Sequence, residues 1–264
     1  MKNALITGAS GGMGLATAKR LISDGYEVYG LDLSSSSAFD HFHFYPTDLT
    51  KEASVQESFD QIKEVCDGFD LIVHFAGIYD LNSLIEIPET DYVRIFDVNV
   101  FGPYRVNKAF LPLLRPNAKI IITTSELAPL DPLPFTGIYA ITKSALDKYA
   151  YSLRMELQLL GYQVVVLRPG AVDTGMIPAS TSRLAQFAES TTHYDYNAKR
   201  FEEIVSKVEA KKIPPEKIAA LVSKIAVKKK PKYVYAINRN PLLRMLNILP
   251  RRTQNRIIKK TISK

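Results

Sequence analysis

Residues 4–14 of the chain read ALITGASGGMG, a short apolar run that passes directly into a glycine-rich turn. Apolar residues spaced as one face of a helix follow the turn, and this pattern ends at Gly25. Residues 26–33, YEVYGLDL, then have the composition of a second strand. A strand, a turn, a helix and a strand within about 30 residues predict a βαβ unit, and therefore a parallel sheet.

The same alternation continues along the chain. Unbroken runs of Val, Ile and Leu are typical of strands in a sheet that helices cover on both faces. The patterns predict strands at 42–45, 69–75, 118–124, 164–167 and 233–237, and helices at 52–65, 91–114, 139–160 and around 218–225. We therefore predict an α/β fold with one doubly wound parallel sheet of Rossmann type.

Two segments depart from this alternation. Residues 175 to about 212 are polar and follow a strand end, where the loops of a parallel sheet line the ligand crevice. We predict that they form a helical lid over a substrate. Apolar residues are interleaved with Arg and Lys in residues 241–264, which predicts a basic amphipathic extension. Residues 1–240 are then one dinucleotide-binding and catalytic domain.

The composition excludes several classes of protein. The 264 residues include 46% hydrophobic and 23% charged residues, as in an ordinary globular domain. One cysteine, Cys66, cannot form an internal disulfide and favours a reducing compartment. The chain has neither an apolar run near the roughly 20 residues of a membrane span nor the apolar segment of a signal peptide. We therefore expect a cytoplasmic protein.

Positive charge is concentrated near the C-terminus. Residues 211–264 contain 16 Lys and Arg residues and one acid, Glu216, whereas the whole chain carries a net charge of +7. This asymmetry predicts either a surface for an anionic partner or a solvated helix face. The aromatic residues of the segment, Tyr233 and Tyr235, fall on a predicted strand, so base stacking by the extension is not expected. We therefore predict no nucleic-acid binding. If the extension does bind an anionic partner, we predict that this partner is the surface of an anionic membrane.

The glycine turn is suited to binding a pyrophosphate. Thr7, Gly8, Gly12 and Gly14 have the spacing Thr-Gly-x-x-x-Gly-x-Gly, between a predicted strand and a predicted helix. Missing side chains let backbone N–H groups approach a phosphate, and the N-terminus of the helix adds a partial positive charge. The turn therefore predicts a dinucleotide cofactor.

Asp32 indicates which dinucleotide is used. It ends the second strand, where a carboxylate can accept hydrogen bonds from the adenosine ribose and repel a 2′-phosphate. No Arg or Lys lies between Arg20 and Lys51 to neutralise such a phosphate. The run of residues 34–37, SSSS, could hydrogen-bond a phosphate. We predict NAD, with NADP the less favoured alternative.

Tyr139 and Lys143 stand four residues apart, on one face of a predicted helix. An ammonium near a phenol stabilises the phenolate and predicts a pKa below the usual value of about 10. Such a group can move the proton that accompanies hydride transfer between an alcohol and a carbonyl. Ser125, at the end of a predicted strand, could hold the substrate oxygen.

With these residues, the chain resembles the short-chain dehydrogenase/reductase family over roughly residues 1–175. Five motifs occur in the family's order: the glycine turn, Asp48-Leu49, residues 97–100 (DVNV), the set of Ser125, Tyr139 and Lys143, and residues 169–174 (PGAVDT). Residues 152–157, SLRMEL, and the C-terminal extension look like the hydroxysteroid and retinol dehydrogenase branch. The resemblance also implies a homodimer or homotetramer, paired through the two long helices.

The resemblance implies a role for each site residue. Tyr139 would be the general acid/base, and Ser125 would orient the carbonyl or hydroxyl. Lys143 would bind the nicotinamide ribose, and Asn99 would support a water-mediated proton relay. The cofactor contacts that it implies are Gly8, Ser10, Gly12, Met13, Gly14, Asp32, Asp48, Leu49, Ala76, Gly77, Tyr139, Lys143, Pro169, Gly170, Val172 and Thr174.

The chain departs from the family pattern at two places. The usual Asn-Asn-Ala-Gly is His74-Phe-Ala-Gly77, so the hydrogen bonds of the first Asn must be replaced, and His74 is the candidate. Ser125 also lies 14 residues before Tyr139, one more than usual. Thr123 and Thr124 therefore stay alternatives for the hydroxyl role.

Other reactive residue types have simpler explanations. His41 and His43 alternate on a strand, but no third ligand is evident, so we expect solvent-facing side chains and no metal site. Cys66 follows a helical pattern, and we expect it to be a packing residue.

These features predict an NAD-dependent oxidoreductase that interconverts a secondary alcohol and a ketone. Apolar residues of the lid favour a small lipophilic substrate such as a hydroxysteroid or retinoid, namely Met176, Ile177, Leu184 and Phe187. Two alternatives stay open. One is a non-catalytic dinucleotide-sensing or scaffold protein on the same fold, and the other is a short-chain alcohol or carbonyl reductase that uses NADP.

Overall fold

A parallel sheet lies at the centre of the computed structural model, which describes residues 1–34, 38–209 and 211–263. The described residues form seven strands in the order β3-β2-β1-β4-β5-β6-β7. Their bounds are β1 Lys2–Thr7, β2 Tyr26–Asp32, β3 Phe42–Pro46, β4 Phe69–His74, β5 Leu114–Thr123, β6 Gln163–Pro169 and β7 Val234–Ile237. The predicted doubly wound parallel sheet is confirmed.

Helices cover both faces of this sheet and extend beyond it. Their bounds are α1 Gly12–Ser23, α2 Glu52–Lys63, α3 Glu89–Phe96, α4 Gly102–Phe110, α5 Gly137–Leu157, α6 Met176–Ser190, α7 Asp195–Glu209, α8 Pro215–Ala226, α9 Pro241–Ile248 and α10 Arg251–Ile262. Residues of α2, α4 and α5 pack on one face of the sheet, and residues of α1 and α8 pack on the other. Burial of both faces explains why the strands are apolar without interruption.

Alternation along each strand divides the core in two. In β5, Ile120 and Ile122 face the α2–α4–α5 side, whereas Ile121 faces the α1–α8 side. In β6, Val164 and Val166 belong to the first side and Val165 to the second. Each of these side chains is at most 1% exposed, so together they remove a large apolar area from water.

The long helix predicted at 91–114 is interrupted. It begins at Glu89, passes through a π-helical turn at Asp97–Phe101 and ends at Phe110, and β5 already starts at Leu114. Pro103 has no N–H to donate to the carbonyl of Asn99, so the regular α-helical ladder cannot continue there. The interruption carries Asn99 into the site described below.

The polar segment predicted as a lid forms α6 and α7, which have an apolar cluster of their own. Leu184 and Phe187 of α6 pack against Phe201 and Val205 of α7. Ile262 of α10 joins the same cluster. The basic extension therefore packs against α7 and does not project as a free tail.

The remaining sequence features are explained by packing and solvation. His41 and His43 are exposed, and their ring nitrogens lie 2.7 and 2.9 Å from the Glu27 carboxylate. Cys66 is buried in the core. Among the described residues, no cluster of three or more His, Cys, Asp or Glu side chains could hold a metal ion. Within the same ranges, no helix has the length and apolar character needed to cross a membrane.

Candidate active site

The candidate site lies at the carboxyl ends of the strands. The sheet order reverses between β1 and β4, and the chain leaves these two neighbouring strands in opposite directions. A crevice at such a point is where doubly wound folds bind ligands. Two adjoining cavities occur there: a cleft of about 350 Å³ along the glycine turn, and an inner cavity of about 200 Å³.

The glycine turn is too tightly packed for side chains. Gly8 has a φ of +68°, and a Cβ on it would lie 2.6 Å from the backbone nitrogen of Ala76. A Cβ on Gly14 would lie 2.0 Å from the Gly8 carbonyl oxygen. The Ser10 hydroxyl oxygen is buried, and within the described ranges it has no hydrogen-bond partner. A bare backbone with an unsatisfied hydroxyl beside the start of α1 fits the pyrophosphate of a dinucleotide.

Asp32 faces this turn from the end of β2. Its Oδ2 accepts a hydrogen bond of 3.0 Å from the Ser10 backbone N–H, and its Oδ1 accepts one of 2.8 Å from Leu33. The carboxylate is thus held beside the turn, where the ribose of the dinucleotide is expected. Residues 35–37 of the serine run lie outside the described residues.

The residues predicted to contact the cofactor fall into two groups. Those that line one or both cavities are Gly8, Gly12, Met13, Gly14, Gly77, Tyr139, Lys143, Pro169, Gly170, Val172 and Thr174. Those that line neither are Ser10, Asp32, Asp48, Leu49 and Ala76. Asp48 accepts hydrogen bonds from Thr50, and Leu49 is part of the core. A direct role for these two in binding adenine stays a prediction.

Tyr139, Lys143 and Ser125 line the same inner cavity. Tyr139 and Lys143 stand one turn apart on α5, and the Lys143 ammonium lies 5.7 Å from the centre of the Tyr139 ring. Lys143 Nζ donates a hydrogen bond of 3.2 Å to the carbonyl of Thr123. Two further N–H donors of the ammonium are available toward the cavity.

Burial dominates the electrostatics of this pair. It raises the pKa of Tyr139 to about 12, the Ser125 hydroxyl opposes this through a hydrogen bond, and the Glu126 carboxylate raises the pKa further. Burial lowers the pKa of Lys143 to about 8. The lowered pKa that the sequence predicted for Tyr139 is therefore wrong for the protein by itself. Desolvation of the phenolate outweighs its attraction to an ammonium at this distance.

The three candidate hydroxyls after β5 have different surroundings. Thr124 Oγ1 points to the Asp147 carboxylate at 3.4 Å and to the Leu167 carbonyl at 3.5 Å. Thr123 Oγ1 is buried and has no hydrogen-bond partner in the described part of the chain. Ser125 Oγ accepts a hydrogen bond of 3.2 Å from the Leu127 N–H, and the Ser125 hydroxyl acts to lower the pKa of Tyr139. Ser125 is therefore the hydroxyl that we favour for holding a substrate oxygen beside Tyr139.

Asn99 fixes a loop at the edge of the cleft. Its Oδ1 accepts a hydrogen bond of 2.7 Å from the Ile78 N–H, and its Nδ2 donates to the Ile78 carbonyl at 2.9 Å and to Thr142 Oγ1 at 3.0 Å. Both hydrogens of the amide are therefore used within the fold. A water-mediated proton relay at Asn99 stays a prediction. Because both hydrogens of the side-chain amide are already used, the relay would have to use another atom of Asn99.

His74, the departure from the family motif, connects the sheet to two helices. Its Nε2 lies 2.9 Å from Asn107 Oδ1 on α4, and Asn107 Nδ2 donates to the Tyr149 hydroxyl on α5 at 3.1 Å. Burial lowers the pKa of His74 to about 4, so the imidazole is neutral at physiological pH. The neutral ring donates its Nε2 hydrogen to Asn107. His74 thus makes a structural hydrogen bond in place of those that the family's Asn would make.

The sequence did not indicate ten of the residues that line the inner cavity. They come from the loop after β4, the loop after β5, α7 and α9: Phe75, Tyr79, Glu126, Leu127, Leu133, Thr136, Phe201, Ile204, Val205 and Leu243. Most are apolar side chains from distant parts of the chain, and nothing in the local sequence distinguishes them from core residues. Glu126 is the exception, because an acid directly after Ser125 is visible in the sequence.

The lid residues predicted to contact a substrate are partly wrong. Leu184 and Phe187 do not line the cavity, because they face Phe135 and α7 within the lid cluster. Phe201, Ile204 and Val205 of α7 line it instead. The side chains of Met176 and Ile177 lie outside the described part of the structure.

Known proteins with similar sequences or structures point in one direction. A family model described as short chain dehydrogenase matches residues 2–185. The chain is 27% identical over 244 residues to the 3-ketodihydrosphingosine reductase of Bacteroides thetaiotaomicron, covering 92% of this chain and 89% of that protein. It is 32% identical over 187 residues to estradiol 17-beta-dehydrogenase 2 of Mus musculus, covering 66% of this chain and 49% of that protein. A solved short chain dehydrogenase family protein from Francisella tularensis has a TM-score of 0.75 at 26% identity, covering 90% of this chain and 97% of that one.

Proposed function

Because the chain belongs to the short-chain dehydrogenase/reductase family, we propose that it interconverts a lipophilic secondary alcohol and its ketone with NAD. Members of this family are oxidoreductases that act on alcohol and carbonyl groups. In this proposal Tyr139 is the general acid/base. The observation that carries this proposal is the common cavity of Tyr139, Lys143 and Ser125, which adjoins the glycine cleft. A dinucleotide bound in that cleft supplies or accepts the hydride.

The proposed chemistry of the chain's own residues is proton transfer and orientation. In reduction, the Tyr139 hydroxyl gives its proton to the substrate oxygen, and in oxidation the Tyr139 phenolate takes that proton back. Ser125 donates a hydrogen bond that orients the same oxygen. Lys143 offers its free N–H groups to the nicotinamide ribose and stabilises the phenolate once it forms.

The wall of the inner cavity supports a lipophilic substrate. Apolar side chains from four separate segments line it, among them Leu133, Val172, Phe201, Ile204 and Leu243. Apolar walls with a few polar groups at one end are typical of sites that bind apolar ligands in one orientation. Tyr139, Lys143 and Ser125 are polar groups of this cavity at which the reaction would take place.

An activity screen tests the proposed function. The purified protein is assayed with NAD and with NADP against steroid, bile-acid, retinoid and short-chain alcohols, and against the corresponding ketones. We expect turnover of lipophilic secondary alcohols or ketones with NAD(H). Activity confined to short alcohols would contradict the substrate class, and activity confined to NADP(H) would contradict the cofactor.

The proposed preference for NAD rests on Asp32. Its carboxylate is held beside the glycine turn by the Ser10 and Leu33 backbone N–H groups. A negative charge in this place would accept hydrogen bonds from a ribose and repel a phosphate on it. Substitution by Asn removes the charge and keeps an acceptor for Ser10.

We expect Asp32→Asn to lower the ratio of kcat/KM with NAD to kcat/KM with NADP about 10- to 100-fold. This range corresponds to the loss of one charged hydrogen bond and of the repulsion. Steady-state kinetics with both cofactors measure the ratio. Asp40→Asn, a change at an exposed acid of the following loop, is the matched control. An unchanged ratio in Asp32→Asn would show that the discrimination arises elsewhere.

We further propose that the extension contacts an anionic membrane beside the cavity. Leu242, Met245 and Ile248 of α9 are 68%, 65% and 82% exposed, and their spacing puts them on one side of the helix. Leu243 of the same helix lines the inner cavity. Exposed Arg251, Arg252, Arg256, Lys259 and Lys260 follow on α10. An apolar face flanked by basic residues fits the boundary of an anionic bilayer.

The double substitution Leu242→Asp and Ile248→Asp should reduce binding to anionic vesicles at least tenfold. Each apolar side chain that loses its place in the bilayer removes roughly 1.5 kcal/mol or more. Co-sedimentation with phosphatidylserine vesicles measures the binding, and phosphatidylcholine vesicles test the need for charge. Val65→Asp, at an apolar residue with 66% exposure outside the extension, is the control. Equal binding by all three proteins would refute the membrane contact.

The proposed dimer or tetramer would cover exposed apolar side chains of the two long helical segments. Val93, Phe101 and Tyr104 are 51%, 48% and 44% exposed in the α3–α4 segment, and Tyr151 and Met155 are 52% and 47% exposed on α5. Large apolar groups clustered at a surface are typical of subunit contacts. These exposures support pairing through the helices that the family resemblance implies.

A further inference from the structure

Glu126 is a buried acid that the proposed mechanism does not use. It directly follows Ser125, lines the inner cavity and is 8% exposed. The β5 strand ends just before it, and its backbone N–H donates to the Pro169 carbonyl at 2.9 Å. Its position in the cavity wall is therefore fixed by the ends of β5 and β6.

One oxygen of this carboxylate has a partner and the other does not. Oε2 accepts a hydrogen bond of 2.6 Å from the Asn240 N–H. Oε1 accepts none from the residues that the structure describes, and no Lys or Arg among them lies within ion-pair distance of Glu126. A Cβ on Gly170 would lie 2.9 Å from Oε1, so this oxygen faces the segment predicted to lie along the nicotinamide.

A buried carboxylate with an unused oxygen is costly unless a cation or a donor meets it. Burial raises the pKa of Glu126 because it disfavours the charged form of the carboxyl group. The Asn240 N–H and the positive charge of Arg239 lower the pKa of Glu126 and so offset part of this cost, but burial outweighs them. The neighbouring wall is apolar at Leu127, Leu133 and Leu243. A ligand with a positive group at this end of the cavity and an apolar chain along the rest would match the site.

We propose that the substrate carries a protonated amine beside its reacting carbon, and that Glu126 Oε1 accepts a hydrogen bond from it. The inference rests on the proposed function for the reacting carbon, because the amine is placed relative to Ser125 and Tyr139. Glu126 and Tyr139 line the same cavity, and the Glu126 charge raises the pKa of Tyr139, so an ammonium bound at Glu126 would offset that charge.

The competing explanation is that Glu126 only holds the C-terminal segment through Asn240. Substitution by Gln separates the two roles, because the amide oxygen can still accept from Asn240 while the charge is lost. Asp131→Asn is a matched control on the same loop. The Asp131 carboxylate accepts hydrogen bonds from Gln254 and Arg251 of the C-terminal segment, and Asp131 does not line the cavity.

The kinetic test compares two ketones. One is 3-ketodihydrosphingosine, a long-chain ketone with an ammonium group on the carbon beside the carbonyl, and the other is a ketone of equal chain length without the amine. We expect the native protein to prefer the amino ketone in kcat/KM, and Glu126→Gln to reduce that preference about 30-fold or more. Asp131→Asn should retain the preference. An equal loss of kcat/KM with both ketones, or no preference in the native protein, would overturn the inference.

A binding test separates this inference from the proposed function. Calorimetry with dodecylamine and with dodecanol measures affinity without turnover. The inference is supported if the native protein binds the amine more tightly than the alcohol and Glu126→Gln abolishes this difference. If that result is obtained but neither ketone is reduced, the proposed function fails and the inference stands. Equal affinity for amine and alcohol in the native protein overturns the inference and leaves the oxidoreductase activity to be judged by the screen. A melting temperature for Glu126→Gln close to that of the native protein is required with the affinities, and a large drop counts for the structural explanation.

Discussion

Tyr139→Phe is expected to lower kcat/KM for alcohol oxidation about 1000-fold while NADH binding stays nearly unchanged. The substitution removes the hydroxyl that exchanges the proton and leaves the ring that packs against Tyr79 at a centroid distance of 4.6 Å. Loss of a positioned general acid/base costs about 10²- to 10⁴-fold in rate. Tyr139 does not line the glycine cleft that is proposed to hold the dinucleotide, so the substitution leaves the lining of that cleft unchanged.

Steady-state rates and a calorimetric titration with NADH test this expectation together. Tyr151→Phe is the matched control, because Tyr151 lies on the same helix and its side chain is half exposed, away from the cavity. Because burial raises the pKa of Tyr139 to about 12, oxidation by the native protein should accelerate as pH rises toward that value. An active Tyr139→Phe enzyme with the same pH profile would refute the assignment of Tyr139 as general acid/base.

Gly14→Ala should weaken NADH binding at least 100-fold and also destabilise the protein. The new Cβ would meet the Gly8 oxygen at 2.0 Å, the Gly8 carbonyl carbon at 2.8 Å and Ala9 Cα at 2.9 Å. All three are backbone atoms, so the turn itself must move, and overpacking of this kind costs roughly 1–3 kcal/mol in stability. A displaced turn no longer directs its N–H groups at the pyrophosphate, and those contacts supply most of the proposed binding.

The control is Gly11→Ala in the same turn, whose Cβ would meet only the Gly8 oxygen, at 3.4 Å. It should cause a much smaller loss. Calorimetric titration with NADH gives the affinity, and thermal unfolding gives the stability of each variant. Gly14→Ala with native affinity would mean that the cleft along this turn is not the dinucleotide site.

Local patterns were sufficient for the fold because each depends on neighbours in the chain. Residues 4–33 predicted a βαβ unit, and β1, α1 and β2 occur there. The spacing of Tyr139 and Lys143 predicted two side chains on one helix face, and both line the inner cavity. The interruption at Asp97–Phe101 was not predicted, although Pro103 is visible in the sequence. A π-turn shifts the apolar pattern of a helix by one residue, and a shift that small is not distinguished in a single sequence.

The sequence by itself determined the order of strands and helices, the glycine turn and the positions of the hydroxyl, ammonium and phenol groups after β5 and on α5. These follow from chain-local rules of periodicity, capping and spacing. Only the tertiary structure decided that α7 and α9 line the inner cavity while Leu184 and Phe187 of α6 do not, and that the pKa of Tyr139 is raised. It also decided that one Glu126 oxygen has no partner among the described residues. Burial and desolvation depend on which distant segments meet in space, and these contacts leave no signature in the local sequence.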